Sequence, residues 1–167
     1  MAMFQLDTID KINRWIGKAV SVFVLLVMSI TLLEVFLRYG FNRPTIWVHE
    51  TSQQMFSIAF LLGSAYTLQK GGHVRVDILY LRLSTRGRAI IEIVTSLFYF
   101  LFIGVLLWKG GEMAYESVTM LERTQTPWEP YVFHVILALP IAAFLLLLQG
   151  IADLIRNLKT LVSGKNS

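Results

Sequence analysis

The chain has 167 residues, 55% of them apolar and only 16% charged, with a mean hydropathy of +0.60 and no cysteine. A soluble domain carries about 25% charged residues, so this composition points to lipid as solvent, and the missing cysteine excludes disulfide frameworks, thiol nucleophiles, Cys-ligated zinc, iron–sulfur clusters and covalently attached haem. The net charge of +4 does not point to nucleic acid, because the Lys and Arg residues sit between long apolar runs instead of being spread over polar surface.

Four runs are long enough to cross a hydrocarbon core that takes about 20 helical residues: 16–37, 46–68, 89–108 and 131–155. The first follows Lys11, Arg14 and Lys18 like a secretory signal. Its apolar stretch is too long for one and no small-residue cleavage site follows, so it reads as a retained span. Near its outer end Glu34 and Arg38 stand one turn apart, where they can neutralise each other. The second run opens on Trp47 and places Glu50, Gln53, Gln54 and Ser57 on one face. That polar stripe is uncomfortable in lipid and calls for another helix, in this bundle or in a partner.

Residues 70–88 join the second and third runs through Gly71-Gly72, which reads as a helix stop. They continue as a short amphipathic helix capped by Asp77, lying in the membrane interface with Arg75, Arg82, Arg86 and Arg88 toward lipid head groups. The third run carries Glu92, Thr95, Ser96 and Tyr99 from its inner end. It is expected to extend helically beyond the membrane over 110–125 before a turn at Thr126-Pro127, with Gly110-Gly111 reading as helix-end glycines. The fourth run has Pro140 in mid-span, where a kink is expected, and Gln149 and Asp153 one turn apart. Trp15, Trp47, Trp108 and Trp128 all fall near expected membrane boundaries.

Eleven of the 15 cationic residues fall at the two ends of the chain and in 70–88, leaving Arg38, Arg43, Lys109 and Arg123 on the other side. By the positive-inside rule both termini are cytoplasmic, with about +6 inside and about −2 outside. The expected architecture is therefore an all-α integral membrane protein: one domain of four transmembrane helices with an interfacial helix between the second and third. No nucleophile–base arrangement, phosphate loop, dinucleotide fingerprint or HExxH stands in the sequence, so no catalytic residue, metal or cofactor is expected.

The string LLEVFLRYGFNRPTIWVHE, then Gly63 and Tyr66, then GGHVRVDIL and TPWEPYVFHVILALP, resembles the small membrane subunit of tripartite ATP-independent periplasmic (TRAP) transporters over about residues 16–155. His49 departs from that pattern, which shows a second acidic residue beside Glu50. The resemblance implies a scaffold subunit of a secondary transporter in a bacterial or archaeal inner membrane. Such a subunit braces a large multi-span subunit, which carries the substrate site and the sodium coupling, while a periplasmic binding protein delivers an organic acid. Glu34, Arg38, Trp47, Glu50, Gln53, Gln54 and Glu92 are the expected large-subunit or structural polar positions, and Glu112, Glu116, Glu122 and Glu129 the expected binding-protein surface. Two other readings rest on single residues: a haem-bearing anchor of a redox complex held by His49 and His134, and a small proton-coupled exporter using Glu34, against which Arg38 argues by keeping that carboxylate charged.

Overall fold

The structure, a computed structural model, describes residues 2–70 and 85–163. They form four helices: α1 (Ala2–Gly40), α2 (Val48–Gln69), α3 (Thr85–Met120) and α4 (Phe133–Ser163). Among the described residues no strand is present beyond an isolated bridge between Arg123 and Tyr131. Three stretches, Thr8–Gly40, Ile90–Met120 and Phe133–Lys159, are long and apolar enough to cross a membrane. α2 falls short of that apolarity because Glu50, Gln53 and Gln54 fill its first turns.

α1 has 39 residues and α3 has 36, which at 1.5 Å per residue makes both more than ~50 Å long, well beyond a ~30 Å hydrocarbon core. α1 begins far ahead of residue 16 because neither Gly nor Pro stands between Ala2 and Arg14 to break the helix. It stops at Gly40, where Asn42 takes a left-handed backbone (φ 51°) and the Arg43 amide donates back to the Leu37 carbonyl at 3.0 Å. Pro44 then prevents resumption.

Gly110-Gly111 are not helix ends. α3 runs through them, and Gly110 is buried where a Cβ would come 3.2 Å from Leu139, so it permits close approach of α4. α3 ends at Met120, with Leu121 in left-handed backbone (φ 48°). The 121–132 connection then closes as a tight hairpin-like loop. Thr124 N–H donates to Pro130 (3.0 Å), Val132 N–H to Glu122 (2.9 Å), and the Arg123 guanidinium lies 4.2 Å from the Tyr131 ring centre while donating to its hydroxyl at 2.6 Å. α4 continues as helix through Pro140. The expected interfacial helix falls on residues outside the described ones, as do Arg75 and Arg82 and the side chains of Arg86 and Arg88.

α4 is the hub. α3 packs along it antiparallel, α2 packs on its other flank, and α1 pairs mainly with α2. Its inward face is lined by Ala138, Ala142, Ala143, Gly150 and Ala152, all buried, which lets neighbouring backbones come close in lipid, where packing rather than hydrophobic expulsion holds helices together. The core gathers Ala65, Ile103 and Leu146 with Leu68, Tyr99 and Leu106 around them. The Tyr99 ring lies close against Gly150 and its hydroxyl donates to the Leu146 carbonyl at 2.7 Å.

Candidate functional site

At one end of the bundle two hollows flank α2. On the α1 side, Glu34 is buried and accepts from Arg38 (2.6 Å from Nη2, 3.0 Å from Nε), from the Thr45 amide (3.1 Å) and from the Thr45 hydroxyl. The carboxylate is thereby a tie between α1 and the 41–47 connection. The sequence spacing identifies Arg38 as its partner; Thr45 comes into reach only because the chain turns back at Asn42. His49 lines the adjoining hollow of about 240 Å³ together with Thr31, Tyr39 and Ser52.

On the α4 side, Glu50 is only 8% exposed and accepts from the Thr124 hydroxyl at 3.3 Å, which in turn is 2.7 Å from that of Thr126. Gln54 donates to the Tyr131 carbonyl (3.3 Å), and its own oxygen faces His134 Nε2 at 3.0 Å. Gln53, Ser57, Val132 and Val135 complete a hollow of about 180 Å³. The polar stripe of α2 is thus met in large part by the 121–132 loop and the first turn of α4. Gln53 and Trp47 stay exposed, and Glu92 lies half-buried toward the other end of α3. The two histidines sit on different sides of α2, one in the α1 hollow and one bound to Gln54, and are not brought together as axial ligands.

Glu112, Glu116, Glu122 and Glu129 are all exposed on the last turns of α3 and on the loop. Glu112 is matched by Lys109 at 2.6 Å, while Glu129 is presented by a left-handed residue (φ 46°) whose amide donates to Thr126.

Level with the far end of α2 stands a polar latch of which the sequence shows only a part, Gln149 and Asp153. Asn13 Nδ2 donates to Gln149 Oε1 at 2.7 Å, with the two residues 1% and 0% exposed. Gln149 then reaches Asp153 (3.3 Å), and Arg156 bridges Asp153 (2.8 Å) and Asp10 (2.5 Å). Gln69 of α2 donates to the Asp10 carbonyl at 3.2 Å. Asn13 and Asp10 look like flanking polar residues in sequence because their partners lie more than a hundred residues away. Replacing Asn13 by alanine leaves Gln149 buried without its donor and is expected to destabilise the bundle by ~1–2 kcal/mol. A double-mutant cycle with Gln149→Ala, read by thermal unfolding in detergent, should show strong coupling; additive effects would refute the latch.

These features define a helical membrane protein with polar ties at both ends and two long helices, α1 and α3, whose apolar faces stand open. Residues 27–160 match the family model of the DctQ component of tripartite ATP-independent periplasmic transporters, and the chain belongs to that family. It is a family of transporter components, not of enzymes. The chain is 23% identical over 152 residues to the sialic acid TRAP transporter permease protein SiaT of Haemophilus influenzae (strain 86-028NP), an alignment covering 91% of this chain and 24% of that protein. It is 33% identical over 88 residues to a putative TRAP transporter small permease protein of Haemophilus influenzae (strain ATCC 51907 / DSM 11121 / KW20 / Rd), covering 50% of this chain and 55% of the relative. The chain thus spans about a quarter and about half of the lengths of these two relatives.

Proposed function

We propose that this chain is the small scaffold subunit of a TRAP transporter in a bacterial or archaeal inner membrane. It crosses four times with both termini cytoplasmic and braces a large transport subunit during uptake of an organic acid anion. The observation that carries this reading is the alignment of nearly the whole chain to a quarter of a TRAP transporter permease protein: the remainder of such a machine is then supplied by a partner. Four helices with a small-residue core leave little interior for an alternating-access cavity built from repeats, so substrate and sodium sites belong to that partner.

Of the two roles expected for the polar residues of α1 and α2, we infer the structural one. Glu34, Arg38, Glu50 and Gln54 are occupied within the chain, so they hold the scaffold's own shape. The bracing surface is assigned instead to open apolar faces such as Leu97, Phe98, Leu101 and Phe102 on α3. Glu112, Glu116, Glu122 and Glu129 are assigned to docking of the periplasmic binding protein. Reconstitution tests the reading: vesicles holding this chain alone should show no uptake, and vesicles holding it with the large subunit and binding protein should. Uptake by the isolated chain would overturn it.

A further inference from the structure

The contacts fix which residues of different helices share a level along the bundle. A Cβ on Gly17 would come 2.6 Å from the Tyr66 ring, and Asn13 bonds Gln149. Ala65, next to Tyr66, packs with Ile103 and Leu146, and the Tyr99 hydroxyl bonds the Leu146 carbonyl. Arg14 and Lys18 of α1 therefore stand level with Tyr99 to Ile103 of α3, in the middle of the apolar run that separates Glu92 from Lys109. Lys109 is only about six residues, or ~9 Å, further along the same axis than Lys18.

An upright bundle cannot place both lysines outside a ~30 Å core: even with each side chain reaching ~5 Å toward water, ~10 Å is missing. α3 packs principally on α4 and α1 principally on α2, so their axes are separated by about two helix spacings of 8–10 Å. Leaning the bundle by ~40°, at the upper end of the range for membrane helices, adds about two-thirds of that lateral distance, ~10–13 Å, to the depth difference and closes most of the gap.

Lys11, Arg14, Trp15 and Lys18 follow one another at i, i+3, i+4 and i+7, all exposed, with Trp15 at 73%, on the face of α1 opposite buried Asn13. Cations around an exposed indole are the composition of the head-group boundary, where they meet anionic phosphates. The geometry points to this face of α1 as a seat on anionic lipid head groups that holds the bundle strongly inclined in the membrane. The inference rests on the chain spanning a bilayer and not on which subunit it serves.

Trp15 and Trp108 report the inclination directly, because both are open (73% and 75%) and they stand only about eight residues, or ~12 Å, apart along the axis. Full-length chains keeping one of these tryptophans, with the other three changed to Phe, are placed in phosphatidylcholine–phosphatidylglycerol vesicles whose acyl chains are brominated near the head group or near the methyl end. Circular dichroism confirms that each variant stays helical. Both indoles are expected to be quenched about twofold more by the shallow bromines. Lys11→Gln, Arg14→Gln and Lys18→Gln together should shift Trp15 toward the deep quencher, and removing phosphatidylglycerol should do the same. An upright bundle leaves at least one of the two indoles most quenched by methyl-end bromines, and that result overturns the proposal. So does a Trp15 that no bromolipid reaches once the large subunit is bound, since the cations then face protein.

Discussion

Replacing Gly150 by leucine is expected to pry α3 from α4 and to be among the most damaging single changes in the chain. Tyr99 lies against Gly150 so closely that even a Cβ would overlap its ring, while the Tyr99 hydroxyl is anchored on the Leu146 carbonyl at 2.7 Å. The ring cannot slide away without losing that bond, and its other side meets the Ala65, Ile103 and Leu146 core. Overpacking of this kind costs ~1–3 kcal/mol or more. Because α3 has little other support in this chain, the loss should appear as a lowered Tm in detergent and as proteolysis within the 121–132 loop. Tyr99→Leu in the same chain frees the space and should recover most of the stability. Tyr99→Phe alone, which removes only the hydroxyl, should cost no more than ~1 kcal/mol. If Gly150→Leu is as stable as the unaltered chain, the α3–α4 contact is not as described.

The second large effect is functional. Glu116→Lys with Glu122→Lys reverses two exposed charges that close no salt bridge among the described residues, whereas Lys109, which also feels Glu116, pairs directly with Glu112. Rim charges of this kind steer encounter more than they hold a complex. Uptake measured at limiting binding protein should therefore fall by about tenfold, equivalent to ~1.4 kcal/mol, with the loss largest at low salt, where screening is weakest. Copurification with the large subunit should be unchanged, since Glu116 shares the face of Phe98 but stands five turns, ~27 Å, beyond it, and Glu122 lies past the end of α3. Equal uptake at every concentration of binding protein would remove the acidic surface from the docking assignment.

Much of the architecture is legible in the sequence because in lipid the backbone must bond to itself, so long apolar runs become helices. The Glu34–Arg38 pair is legible for the same local reason: two residues one turn apart on a helix meet wherever that helix goes. What is illegible lies across helices. The stripe from Glu50 to Ser57 announces a need for polar partners, but nothing near it in the chain says that Thr124, Tyr131 and His134 supply them. Asn13 and Gln149 each look ordinary until α1 and α4 are laid side by side. The glycines at 110 and 111 mislead because glycine ends helices in water and packs them in membranes, and only the nearness of Leu139 decides between the two roles.

The same distribution of contacts bears on how the chain assembles. α1 with α2, and α3 with α4, are each antiparallel neighbours in sequence, so each pair can form as a hairpin soon after it enters the bilayer, from local contacts with low closure entropy. The polar bonds between hairpins sit at the two ends of α2: Gln54 with His134 at one, Asn13 with Gln149 and Asp10 with Arg156 at the other. Apolar helices in lipid slide past one another at little cost, whereas these pairs match in only one register. They act as a proofreading step late in folding, joining two preformed hairpins only when both ends agree.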